Sequence, residues 1–419
     1  MTIRNAFYAQ SGGVTAVINA TACGLIQTAR RCHEQIGKVY AGHDGIIGAL
    51  TEDLIDTSLE SDADIARLRH TPGGAFGSSR YHLGTLATHR THYERLAAVF
   101  QAHNIGYYFV NGGEGSMGAA LALSEAMEAL GYPLQVIGLP KTVDNDLALT
   151  DTCPGFGSVA KYVATSMREA GFDVASMART STQVFILESM GRHAGWIAAA
   201  CGLASEQASD PPHILLFPEV AFDAERFLTR VRECVIAYGY CAIAVAEGLC
   251  DAGRCAIHQS PEWRGDGMAA PGSVGRFIAG LISERLGYKY HLALADYLQR
   301  AARHLASAVD VAQAHALGVA AVDRALSGKT NCMLSIERLA DTPYRWRIGE
   351  VDLAAVANVE RKLPAEFISS DGFHITDACR QYLRPLIEGE DAPPYRLGLP
   401  DYVQLQNRRE KKYLPAFQI

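Results

Sequence analysis

A chain of 419 residues exceeds one ordinary hydrophobic core, so two domains are expected. With 48% hydrophobic and 20% charged residues it has the composition of a globular protein, and no apolar run is long enough to span a bilayer. A net charge of −7, with no block of like charge, argues against a general nucleic-acid or membrane binder.

Strand-like and helix-like segments alternate, which predicts α/β architecture with parallel sheets flanked by helices. The N-terminus runs almost directly into a strand at 5–9, without the pattern of a targeting signal. Ser11-Gly12-Gly13 follows, then a helix from 16 to about 31. A short strand is expected at 38–41, and 72–80 is a glycine-rich loop ending in Arg80. A helix-period segment at 89–103 precedes a strand at 105–111. That strand ends in Gly112-Gly113-Glu114-Gly115-Ser116, and the apolar run 134–139 ends in Pro140-Lys141-Thr142-Val143-Asp144-Asn145-Asp146. Ser158 is read as a helix cap after the loop 154–157. Strands are expected at 183–187, 213–217 and 241–246, with a small-residue helix at 196–203. An alanine-rich helix runs from 309 to about 326, and the topology beyond 341 is left open. The ten cysteines form no CxxC pair and suggest reduced thiols in a cytoplasmic protein. Cys250 and Cys255 flank a turn where a disulfide or zinc site is disfavoured.

Ligands of open α/β sheets bind outside the C-terminal ends of strands. The run 140–146 places two carboxylates, a lysine and a hydroxyl at such an end. One aspartate can take a proton from an alcohol while the lysine meets phosphoryl oxygens, since phosphoryl transfer needs mainly positioning and charge stabilisation. A surface salt-bridge cluster is the plainer alternative, but a dense cluster after a buried strand makes it less attractive. The three glycines of 112–115 give clearance for a polyphosphate, and Glu114 suits Mg²⁺ directly or through water. Ser11-Gly12-Gly13 lets backbone amides approach phosphate at a helix start, although a ligand-free βα turn is the commoner meaning of such a pair. Met190-Gly191-Arg192 and Tyr297-Leu298-Gln299-Arg300 supply guanidinium groups able to grip a phosphate bidentately. Glu247, at a strand end before glycine, suits sugar hydroxyls, with helix capping as the alternative.

Taken in order, these segments resemble the phosphofructokinase family over roughly the first three-quarters of the chain. Lys141 to Asp146 together with Met190-Gly191-Arg192 are the most specific part, and the opening Phe7 to Gly13 is most similar to the bacterial pyrophosphate-dependent branch. The resemblance implies two Rossmann-like domains with the active site in the cleft between them. It implies a donor domain at 1–155, a fructose 6-phosphate domain at 156–305, and C-terminal helices and extension at 306–419 packing back on both. Asp144 would be the base for the sugar 1-hydroxyl, Thr142 would touch the transferred group or the sugar, and Lys141 would stabilise the transition state. Glu114 would take the magnesium position, where the family usually has Asp. Met190, Gly191, Arg192, Glu247, Tyr297 and Arg300 would hold the sugar phosphate. Gly13, Arg80, Gly115 and Ser116 would lie at the donor. A cytoplasmic homodimer or homotetramer is implied.

The donor markers split. Pyrophosphate users of the family usually carry Asp where Gly115 stands. A carboxylate about 4 Å from an α-phosphate would cost roughly 4 kcal/mol per charge pair at an effective dielectric near 20. Gly115 removes that barrier to ATP, whereas Lys141 is typical of pyrophosphate users, and some ATP users combine the two. The wider resemblance favours pyrophosphate, with ATP as the alternative. A non-catalytic sugar-phosphate-binding subunit is disfavoured by the intact Lys141, Asp144 and Asp146. A kinase of the NAD or lipid class would lack the sugar-phosphate motifs, and neither glycine loop gives the full dinucleotide fingerprint.

Overall fold

The computed structural model describes residues 3–253, 257 and 273–419; Cys255 lies outside them. The other nine cysteines are free thiols. The chain divides into two compact units, Met1–Ser158 with Ala301–Glu360 and Gly389–Ile419, and Val159–Arg300 with Arg361–Glu388. The stretch from 306 onward is therefore shared between the two units.

The first unit is built on a seven-stranded sheet. Its strands are β1 (Arg4–Gln10), β2 (Ile36–Gly42), β3 (Leu54–Asp56), β4 (Ile105–Gly112) and β5 (Gln135–Pro140). The second unit contributes β6 (Val184–Ser189), β7 (Ile214–Leu216), β8 (Cys241–Ala246) and β9 (Tyr290–Leu294), and the chain returns to the first sheet with β10 (Cys332–Asp341) and β11 (Tyr344–Asp352). The order in the first sheet is β11-β10-β5-β4-β1-β2-β3. Pairings among β1, β2, β4, β5 and β10 are parallel, but β2–β3 and β10–β11 are antiparallel. The sheet is thus mixed at both edges rather than wholly parallel. At the β10–β11 edge the cause is connection length: a parallel return needs about a dozen residues, and only two separate these strands.

The helices of the first unit are α1 (Ile18–Arg31), α2 (Ile46–Leu50), α3 (Asp62–Arg67), α4 (Arg90–Ala102) and α5 (Glu114–Ala129). Then α6 (Phe156–Met177) leads into the second unit, followed by α7 (Trp196–Cys201), α8 (Ala224–Tyr238), α9 (Val274–Leu286) and α10 (Asp296–Ala301). The chain re-enters the first unit with α11 (Ala308–Leu326) and α12 (Leu353–Val356), and α13 (Asp377–Leu383) belongs to the second. Side chains alternate across the first sheet with period two. Ala6, Tyr8 and Phe109 face Leu25 and Ile26 of α1 and Leu317 and Ala321 of α11. Phe7, Ala9, Tyr108 and Val110 face Leu96 and Phe100 of α4 and Met117 and Leu123 of α5. The chain runs from β1 to β2 on one side and later adds β4 and β5 on the other. Such a switch point is where α/β sheets open a crevice.

The second unit carries a four-stranded parallel sheet, β7-β8-β6-β9. Val184, Ile186, Ile243 and Val245 pack there against Phe227 and Val231 of α8 and Ile278 and Ile282 of α9. Ser158 is not a cap: it sits inside the first turn of α6, where its backbone N–H and hydroxyl both donate to Asp310. Gly155 donates to the other oxygen of the same carboxylate. Asp310 is wholly buried, and burial pushes its carboxyl above the usual range against those bonds.

Helices α1 and α11 cross backbone to backbone. A Cβ on Gly24 would strike the His315 carbonyl, and one on Gly318 would strike that of Thr21. Propensity alone makes Gly318→Ala stabilising by about 1 kcal/mol. The crossing predicts instead a loss of about 1–3 kcal/mol from overpacking, read as a lower urea midpoint. A raised midpoint would contradict the backbone contact.

Candidate functional site

In the first sheet β5, β4 and β1 lie side by side, so the three predicted motifs emerge together at their C-terminal ends. Backbone bonds lock the three ends. Ser11 N–H donates to the Asn111 carbonyl (2.9 Å), and Lys141 N–H donates to that of Gly112 (3.0 Å). The Ser116 hydroxyl meets the Ser11 hydroxyl at 2.8 Å. The Lys141 ammonium, on a side chain of a 4%-exposed residue, donates to the Gly13 carbonyl at 2.6 Å. The loop carrying Arg80 joins the same turn: Gly12 N–H donates to the Ser79 carbonyl (2.9 Å), and Ser78 Oγ donates to the Gly12 carbonyl (2.7 Å). Arg80 is exposed.

Gly113 precedes α5 without a side-chain cap, and Glu114 is the first helical residue. The opening amides and dipole of a helix favour an anion. Gly112 admits no side chain, because a Cβ would collide with Ser116. Gly115 is the opposite case: nothing lies within 4 Å of where its Cβ would be. Its open face is free space for a ligand.

The acid turn is rigid. Asn145 adopts a left-handed φ of 53°, is fully buried, and accepts from Cys153 N–H at 3.0 Å through its side-chain oxygen. Asp144 N–H donates to Thr142 Oγ1 (3.1 Å). The Asp146 carboxyl is held above the usual carboxylate range, chiefly by burial and further by the Glu360 carboxylate; a Thr142 hydrogen bond and the Lys141 charge work against that rise. Its Oδ1 is buried without a hydrogen-bond partner. Among the described residues no group of three or more His, Cys, Asp or Glu is set to hold a metal. Magnesium bound through one or two carboxylates and substrate phosphates needs no such group. Glu114 after β4 and the unpartnered Asp146 oxygen beyond the end of the neighbouring β5 are hard-oxygen donors of the kind that fits it.

In the second unit β6 ends at Ser189 and β8, its neighbour, at Ala246. Glu247 N–H donates to the Ser189 carbonyl (3.0 Å) and Gly248 N–H to that of Gly191 (3.2 Å). Gly191 has φ 124°, and a Cβ there would meet the Ala194 carbonyl. The two strand ends therefore hold Met190, Gly191, Arg192 and Glu247 together. Tyr297 and Arg300 sit on α10, the guanidinium 3.9 Å above the ring centre, and Tyr297 is 64% exposed. Gln299 links this helix to β6: its Oε1 accepts from Met190 N–H (3.2 Å), and its Nε2 donates to the Asp296 carbonyl (3.0 Å). Sequence reasoning passed over Gln299, whose position inside the Tyr297–Arg300 motif was the available signal. The structure thus places the donor, metal and acid–base candidates in the first unit and the sugar-phosphate candidates in the second.

A phosphofructokinase family model matches residues 5–325. A pyrophosphate–fructose 6-phosphate 1-phosphotransferase from Methylococcus capsulatus is 61% identical over 416 residues, 99% of either chain. Its namesake from Halomonas elongata is 56% identical over the whole of both chains. The crystal structure of a pyrophosphate-dependent phosphofructokinase from Nitrosospira multiformis superposes with a TM-score of 0.92 at 55% identity, covering 99% of this chain and 100% of that one.

A Cβ on Gly248 would run into the Arg192 carbonyl. Gly248→Ala is therefore expected to displace Arg192 and weaken binding of fructose 6-phosphate at least about tenfold, or 1.4 kcal/mol, by calorimetry. Unchanged affinity would remove the 190–192 turn from the anion site.

Proposed function

This chain belongs to the phosphofructokinase family, and we propose that it transfers a phosphoryl group from pyrophosphate to the 1-hydroxyl of fructose 6-phosphate. The products are fructose 1,6-bisphosphate and phosphate. The observation that carries this reading is the convergence, on three adjacent strand ends, of a buried lysine and a rigid acid turn after β5, an open glycine at the helix start after β4 and the Gly13 backbone after β1. The full-length relatives named for pyrophosphate favour that donor over ATP.

Asp144 takes the proton from the attacking hydroxyl, so charge builds on oxygen only as the new P–O bond forms. Lys141, fixed in place before substrate arrives, meets the charge on the transferring phosphoryl group. Thr142 contacts the transferred group or the sugar. The backbone at Gly13 and the start of α5 at Gly115 and Ser116 hold the donor, with Arg80 at its rim. Met190, Gly191, Arg192, Glu247, Tyr297 and Arg300 hold the sugar phosphate. Magnesium, held by Glu114, would neutralise donor charge and polarise its oxygens. Both directions run readily, because the phosphate bonds exchanged are of comparable energy. The free thiols fit a reducing cytoplasm, and among the described residues no helix is long and apolar enough to cross a membrane. The assembled enzyme on this reading is a homodimer or homotetramer, as the family resemblance implies.

Asp144→Asn should keep sugar-phosphate affinity and lower kcat by about 10²-fold or more. Wild-type-like turnover would end the role of base. Initial rates with each donor should give a higher kcat/KM for pyrophosphate than for ATP, and a strong ATP preference would reject the donor assignment.

A further inference from the structure

Gly115 leaves open space at the start of α5, so on the pyrophosphate reading something else must turn ATP away. Three residues further along α5 is Gly118, on nearly the same face and about 4.5 Å up the helix axis. That position is not open. A Cβ there would lie 3.0 Å from Asn358 Oδ1 and 3.1 Å from Nδ2, with Cγ farther at 3.4 Å, so the tip of the Asn358 amide abuts Gly118 edge-on.

The segment carrying Asn358 is anchored on both sides. Before it, Leu353 and Val356 of α12 are fully buried in the core shared with Met117 and Ala120 of α5. After it, Glu360 forms an antiparallel bridge with Leu147, next to the acid turn. Its carboxylate is near enough to bear on Asp146. Asn358 itself has φ 58°, a left-handed conformation that asparagine tolerates and most residues do not. The anchored turn thus sets a polar wall one helical turn beyond the open glycine.

We propose that Asn358 is the residue that determines donor specificity: it closes the Gly115–Gly118 face of α5 to anything longer than pyrophosphate. Two phosphates fit over the helix start at Gly115. The third phosphate and nucleoside of ATP would have to continue along the face that Asn358 covers. The Glu360 carboxylate beside it adds like charge to that direction. This rests on the pyrophosphate reading above and accounts for it without a carboxylate at 115.

The test is Asn358→Gly, which keeps the left-handed backbone and removes the amide. ATP is titrated as an inhibitor of the pyrophosphate reaction in wild type and variant, and both donors are assayed for kcat/KM. The variant's inhibition constant for ATP should fall at least about tenfold, with pyrophosphate kcat/KM within about twofold of wild type, tenfold being 1.4 kcal/mol. If wild type prefers pyrophosphate and the variant's ATP affinity is unchanged, the wall is refuted while the donor reading stands. Equal shifts for both donors also refute it. A wild type that prefers ATP overturns both.

Discussion

The Lys141 ammonium bonded to the Gly13 carbonyl is the contact on which the first unit's site depends. It ties the loop after β5 to the loop after β1, across the end of β4. Burying an ammonium is costly unless its hydrogens find acceptors, so the geometry around Lys141 is strongly fixed. A cation already held in place offers a developing anionic charge stabilisation with little reorganisation. The fold supplies the rest: a sheet whose strand order reverses at β1 brings the glycines after β1 and β4 to the lysine and aspartate that follow β5.

Glycines divide into those that let the backbone close and those that leave space. Gly112 and Gly248 belong to the first kind, since a methyl group at either would hit Ser116 or Arg192. Gly115 belongs to the second, because its surroundings are open. The same residue type thus sets precision at one position and room at another. In the second unit the Gln299 side chain adds to the backbone pairing of β9 and Ala295 with β6, extending the tie to Met190 beyond the strand end.

Much of this was legible in the sequence because motifs sit where strand periodicity ends. The strand at 241–246 and the acid turn after 139 came directly from apolar runs stopped by polar clusters. The hairpin of β10 and β11 was not legible, because its register depends on joining a sheet that began more than 300 residues earlier. Ser158 looked like a cap from local pattern, but Asp310, 152 residues away, claims its hydroxyl. Asn358 carried no local signal at all; only packing against Gly118 reveals it. Short-range chemistry was readable, and contacts between distant segments were not.

The most direct measurement is kcat at saturating magnesium pyrophosphate and fructose 6-phosphate for wild type and Lys141→Met, with melting curves recorded on both. If the lysine is the fixed cation that meets the transferring phosphoryl group, kcat should fall about 10²-fold while the fold persists. Equal turnover by both proteins would contradict the account.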